Sequence, residues 1–187
     1  MSLIGKEIAD FSVMSYRDNR FEKIAKKDLL GRWSLLFFYP ADFSFVCPTE
    51  LEDLQEHYDD FKGEGCEIYA VSTDSHFVHK AWHDSSEKVG KVTYPMLADP
   101  AHRLSLDFDV LSDDDGMSER AVFILDPKGK IVSCAIKSGG VGRNAAELLR
   151  ILRACKFVDE HGDRVCPAGW QKGDDTLAPS LDLVGSL

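Results

Sequence analysis

Trp33-Ser34-Leu35-Leu36-Phe37-Phe38-Tyr39-Pro40-Ala41-Asp42-Phe43-Ser44-Phe45-Val46-Cys47-Pro48-Thr49-Glu50 joins two patterns. Its first seven residues form an apolar, aromatic run that Pro40 ends, the mark of a buried strand. Pro48 suits the opening of a helix, where a backbone N–H is not needed. From there Leu51, Leu54, Tyr58 and Phe61 recur at spacings of 3, 4 and 3, one face of a helix. Strand, loop and helix in this order put Cys47 at or beside the N-cap. Unpaired N–H groups and the positive end of the helix dipole stabilise an anion there, and a thiolate gains most from that position. Glu50 stands where a capping-box acid reaches back toward the cap. It also occupies the place where a C-x-x-C motif has its second cysteine, so any thiol that closes a disulfide with Cys47 comes from elsewhere.

Outward from this stretch the punctuation is that of an α/β chain. Residues 66–72 follow Gly63 and Gly65 and read as a second buried strand. Residues 121–125 and 131–136 flank Asp126-Pro127-Lys128-Gly129-Lys130, a turn sequence, and read as a hairpin. A shorter hairpin is expected over residues 11–24, turning at Asp18-Asn19. Helices are expected over about 75–88 and over 144–158, where Ala145, Leu148, Leu149, Leu152 and Cys155 keep helical spacing. This order predicts a thioredoxin-like α/β sandwich, a central mixed sheet flanked by helices, with an N-terminal hairpin and a C-terminal tail. Residues 1–158 form the domain. Residues 159–187 form the tail, where glycines and prolines interrupt every period. Val46-Cys47-Pro48 is echoed there by Val165-Cys166-Pro167.

A chain of 187 residues is sized for one core. Thirty-two acidic against 22 basic residues leave a formal charge of −10, which argues against a nucleic-acid partner. The longest clean apolar run, residues 35–39, is far short of the ~20 residues that span a membrane. Residues 1–7 show neither the basic nor the apolar region of a secretory signal. Five cysteines are too few and too scattered for a disulfide framework. The cytoplasm, where disulfides form only transiently, is the compartment expected.

The chain resembles the peroxiredoxins, in their typical 2-Cys form. The resemblance rests on the quoted stretch with its Pro40-x-x-x-Ser44-x-x-Cys47 pattern and on Ala70-Val71-Ser72-Thr73-Asp74-Ser75-His76. It continues through Lys80-Ala81-Trp82-His83, Tyr94-Pro95-Met96, Glu119-Arg120-Ala121-Val122-Phe123 and Ala178-Pro179-Ser180-Leu181-Asp182-Leu183-Val184-Gly185. It implies a peroxidase that reduces hydrogen peroxide and small organic hydroperoxides without metal or cofactor. Cys47 would be the nucleophile and become a sulfenic acid. Cys166 would resolve it as an intersubunit disulfide. Arg120 would lie against the thiolate, Ser44 would present its hydroxyl to the peroxide where the family more often has threonine, and Pro40 would shield the site. Glu50 and Arg143 would orient Arg120. The resemblance further implies a homodimer assembled into a decamer, reduced by a flavoprotein disulfide reductase or a thioredoxin-like protein. A holdase-type chaperone and a redox-sensor ring are the alternatives.

Other signals read as structural. Cys155 falls on an apolar helix face, and Cys66 and Cys134 fall in strands, so all three are expected to pack in the core. His76, His79 and His83 could share a helix face, but Lys80 stands where H-E-x-x-H needs its glutamate. A polar helix surface or a subunit contact is expected instead. Asp113-Asp114-Asp115-Gly116 lacks the alternation of a calcium loop.

Overall fold

The six residues of the strand Trp33–Phe38 (β3) are buried without exception, as befits a strand covered on both faces. In this computed structural model, which describes residues 2–185, β3 is the centre of a seven-stranded sheet. Parallel neighbours on one side are Cys66–Ser72 (β4) and then Met96–Ala98 (β5). On the other side Arg120–Leu125 (β6) and Ile131–Lys137 (β7) form the antiparallel hairpin. Beyond β5 lie Ser12–Arg17 (β1) and Arg20–Ala25 (β2), giving the order β2-β1-β5-β4-β3-β6-β7. Asp18 and Asn19 turn the first hairpin with φ of 47° and 60°, the left-handed pair that a two-residue hairpin turn needs. Leu36 and Phe38 join Val71, Leu97 and Phe123 in one apolar cluster. Alternation along β3 sends Phe37 to the opposite face.

Helices follow the strands: Lys26–Leu29 (α1), Cys47–Glu56 (α2), Tyr58–Gly63 (α3), His76–Ser85 (α4), Arg103–Asp107 (α5) and Ala145–Glu160 (α6). The single helix expected from Pro48 onward is two. His57 interrupts it with φ −100° and ψ 2°, because its ring Nδ1 lies 2.9 Å from the Asp53 carbonyl. That carbonyl is the acceptor the His57 N–H would use in a continuous helix. One residue out of step leaves Tyr58 and Phe61 buried, so the apolar spacing survives the break. Among the described residues no helix is long and apolar enough to cross a membrane.

The chain divides into two compact units, the first ending at Ala145 and the second beginning at Ala146. Thus α6, after its first residue, belongs with the tail that the sequence sets off at Asp159. Within the second unit the tail folds back on α6. Val165 and Leu177 exchange backbone hydrogen bonds of 2.9 and 3.1 Å. Trp170 is buried 5.2 Å from the Phe157 ring, and its carbonyl accepts from Arg150. Of the expected tail, Ser186 and Leu187 lie outside the described residues.

Candidate active site

Cys47 is the first residue of α2 and is fully buried. The N-cap is Val46, and no side chain caps the turn. Glu50 does not reach back as a capping-box acid. Its carboxylate accepts four hydrogen bonds from two arginines. Arg120 Nη1 reaches Oε2 at 2.7 Å, the Arg143 backbone N–H and Nε reach Oε1 at 2.8 and 2.9 Å, and Arg143 Nη2 reaches Oε2 at 3.0 Å. A neutral cap hydrogen bond cannot compete with buried, charge-assisted ones.

The same Arg120 Nη1 lies 3.3 Å from Cys47 Sγ, while Arg120 Nε donates to the Gly139 carbonyl at 2.8 Å. Strand β6 opens at Arg120 and so delivers the guanidinium to the mouth of α2. Arg143 is held more firmly still. It donates to the Phe38 and Ala121 carbonyls at 2.8 and 2.6 Å, and its guanidinium lies 3.3 Å over the Phe37 ring. Burial works against the Arg120 charge, but Cys47 and Glu50 outweigh it and hold this guanidinium above its ordinary pKa. Burial pulls Arg143 below its ordinary value, with Glu50 opposing. Two guanidiniums therefore face one carboxylate, and the Cys47 sulfur lies against the same cluster. Removing one donor aimed at developing charge costs about 10²–10³-fold in rate. Arg120→Ala is therefore expected to slow the reaction of the reduced protein with hydrogen peroxide by roughly 10²-fold, measured by stopped-flow competition against a second peroxidase. An unchanged rate would remove Arg120 from the chemistry.

The loop before Cys47 is fixed from behind. Asp42 accepts from the Tyr39 hydroxyl at 2.7 Å, its Oδ2 lies 2.8 Å from His79 Nδ1, and its backbone N–H donates to Asp74 at 2.8 Å. Burial and the Asp42 charge push Tyr39 well above its ordinary pKa, which keeps its hydroxyl a donor. His79 is neither a helix surface nor an exposed contact. It is completely buried, with Nε2 3.1 Å from the Leu97 carbonyl. Ser75 caps α4 and so puts His79 on the inward face with Trp82, three residues on. These anchors hold Phe43 at φ 55°, a left-handed conformation that costs energy for an aromatic residue.

Ser44 Oγ donates to the Ala41 carbonyl at 2.7 Å, which leaves the hydroxyl oxygen as an acceptor. Pro40 is half-buried where β3 gives way to the loop. Cys166 is in the second unit, half-buried, with its Sγ 3.9 Å from the Ala154 carbonyl. Thus Cys47, Glu50, Arg120 and Arg143 form one hydrogen-bonded cluster, while Ser44 is bonded within its own loop. Asp42, Tyr39 and Asp74 are support residues to which the sequence assigns no role, and His79, expected on a helix surface or at a subunit contact, is a fourth. Cys66 is buried as expected, but Cys134 is exposed and Cys155 only partly buried. Strand β7 is an edge strand open on one face, so a position within it does not imply core. Among the described residues no group of three or more His, Cys, Asp or Glu could hold a metal ion.

A buried cysteine sulfur beside an arginine, on a mixed sheet of this order, is the arrangement that the resemblance to the peroxiredoxins implies. The chain belongs to the AhpC/TSA family, whose model matches residues 4–134. Residues 154–185 match the model of the C-terminal domain of 1-Cys peroxiredoxin. The chain is 52% identical to alkyl hydroperoxide reductase C of Bacillus subtilis and 49% identical to that of Escherichia coli K12. Both alignments run over 187 residues and cover each chain fully. Its fold matches the crystal structure of Enterococcus faecalis AhpC at a TM-score of 0.88 and 54% identity, covering 89% of this chain and 100% of that one. A reduced 2-Cys peroxiredoxin of Plasmodium vivax matches at a TM-score of 0.92 and 33% identity, covering 97% and 96%.

Proposed function

We propose that the chain reduces hydrogen peroxide and small organic hydroperoxides through a Cys47 sulfenic acid. The observation that carries this reading is Arg120 Nη1 at 3.3 Å from Cys47 Sγ, within a buried cluster of two guanidiniums and one carboxylate. The thiolate attacks the terminal peroxide oxygen and the O–O bond breaks. The alkoxide or hydroxide leaves with its charge facing Arg120 and takes up a proton. Ser44 Oγ accepts from the peroxide O–H, and Pro40 presents no N–H to compete. Glu50 and Arg143 fix Arg120.

Cys166 of a second subunit then attacks the sulfenic sulfur, a disulfide forms and water leaves. Because Cys47 is buried, the first turn of α2 opens for this step, and a turn without a side-chain cap is suited to open. A homodimer supplies the second Cys166, and β7, an edge strand whose outer side is taken up at Ile131 by residues 5 and 6, supports edge-to-edge pairing of subunits along the rest of its length. A ring of five dimers, a cytoplasmic location, and a flavoprotein disulfide reductase or thioredoxin-like reductant complete the proposal.

One equivalent of hydrogen peroxide added to the reduced protein is expected to give a covalent dimer on a non-reducing gel, linked Cys47 to Cys166 by peptide mapping. A chain that stays reduced would overturn the peroxidase, and an intrachain Cys47–Cys166 bridge would overturn the dimer. Cys166→Ser is expected to complete the first step only, stopping as a sulfenic acid that dimedone traps at Cys47 in the mass spectrum. Sustained turnover with a reductant separates a peroxidase from a redox sensor.

A further inference from the structure

The fold-back of the tail places Cys166 beside the backbone of a second cysteine, Cys155. The Val165–Leu177 backbone pair and the buried Trp170 against Phe157 seat residues 165–177 on α6. They bring Cys166 Sγ to 3.9 Å from the Ala154 carbonyl, the oxygen of the peptide group that joins Ala154 to Cys155. Cys155 is partly buried there, 11 residues before Cys166 in the chain. We propose that Cys155 and Cys166 are a second redox dithiol, and that Cys155 takes over Cys166 from the intersubunit disulfide. This rests on the peroxidase reading above.

In the exchange the Cys155 thiol loses its proton to solvent and attacks Cys166 Sγ. The Cys155–Cys166 bond forms, the Cys47–Cys166 bond breaks, and Cys47 leaves as a thiolate. Cys155 is oxidised, Cys47 is reduced, and no further oxidant is consumed. Two features drive it in this direction. The departing sulfur is the one that Arg120 receives, and the better-stabilised thiolate is the better leaving group. The new bond also closes a short loop within one chain, where the effective concentration of the partner is high.

Burial raises both thiols, and in Cys155 the neighbouring Cys166 adds to the effect. They therefore remain protonated in the reduced protein and are poor peroxide nucleophiles, so they are oxidised through exchange, on the order of minutes. The outcome is a Cys47 returned to its reduced state and a disulfide confined to one tail.

The test follows the wild-type protein and Cys155→Ser after one equivalent of hydrogen peroxide, with thiols blocked at intervals up to about an hour. In wild type the covalent dimer is expected to form and then be lost to a monomer. After trypsin, the peptide of residues 154–156 is expected to be linked to that of residues 165–172. In Cys155→Ser the dimer persists. A wild-type dimer that persists with only the Cys47–Cys166 linkage overturns the exchange and leaves the peroxidase reading intact. No Cys47–Cys166 linkage at any time in either protein overturns the parent reading and the exchange with it. A separate arm oxidises Cys47→Ser with diamide, a disulfide-forming oxidant that bypasses Cys47. The same linked peptides are expected, and their absence overturns the dithiol.

Discussion

Replacing Cys47 by serine is expected to abolish peroxide consumption while leaving the fold in place. The exchange removes one polarisable sulfur from a fully buried position and substitutes an oxygen of similar shape. Serine has no sulfenic state to form, and its hydroxyl stays protonated at neutral pH, so the chemistry is lost at its first step. None of the other thiols is placed to substitute. Cys66 is buried in β4 with its sulfur directed to the Glu67 carbonyl at 3.6 Å. Cys155 and Cys166 are held protonated by burial, and Cys134 is exposed on an edge strand. A drop of ~10⁴-fold or more is the scale seen when a nucleophile is removed from a preorganised site. Hydrogen peroxide consumption with dithiothreitol as reductant measures it. Turnover close to that of wild type would move the chemistry to another cysteine.

How much of this site the sequence disclosed depends on how local each feature is. The buried strand, the loop and the helix that opens at Cys47 are written into consecutive residues, since an apolar run and a proline act on their own neighbours. The two-residue turn at Asp18-Asn19 is local in the same sense. The destination of a charge is not. From residues 47 to 50 alone, Glu50 has the spacing of a capping acid. Its real partners stand 70 and 93 positions away, and only the meeting of β6 and the segment before α6 with α2 brings them in. His79 failed for a related reason. Three histidines at helical spacing specify a face but not which way it points, and the oxygens that hold the buried His79 ring come from the loop at Asp42 and from β5 at Leu97. Resemblance to a family supplied Arg120, with Glu50 and Arg143 as the residues that orient it. It did not supply the geometry in which one carboxylate holds both.

That geometry makes Glu50 the position where stability and activity fall together. Glu50 and Arg143 are almost wholly buried and Arg120 nearly so. A buried ion pair contributes little over a well-packed apolar replacement, because desolvating its charges offsets their attraction. Removing one partner is different, since the charges that remain are buried without compensation. Glu50→Ala leaves two guanidiniums confined together without their carboxylate, and a loss of about 3–5 kcal/mol is expected. At about 2–4 °C per kcal/mol for a chain of this size, the melting temperature falls by roughly 10 °C. The urea midpoint should fall with an unchanged slope, which identifies a loss of stability and not a change in the unfolded chain. Peroxide reactivity should fall as well, because Arg120 loses the carboxylate oxygen that holds Nη1 beside Cys47 and is left anchored through Nε at Gly139. Glu50→Gln separates the two effects. Its side chain keeps the shape and one acceptor oxygen, but turns an amide N–H₂ toward an arginine, so part of the stability returns while the charge balance does not. A Glu50→Ala protein within about 1 kcal/mol of wild type would mean that the arginines find another anion or water, and the charge-balanced cluster would not hold the site together.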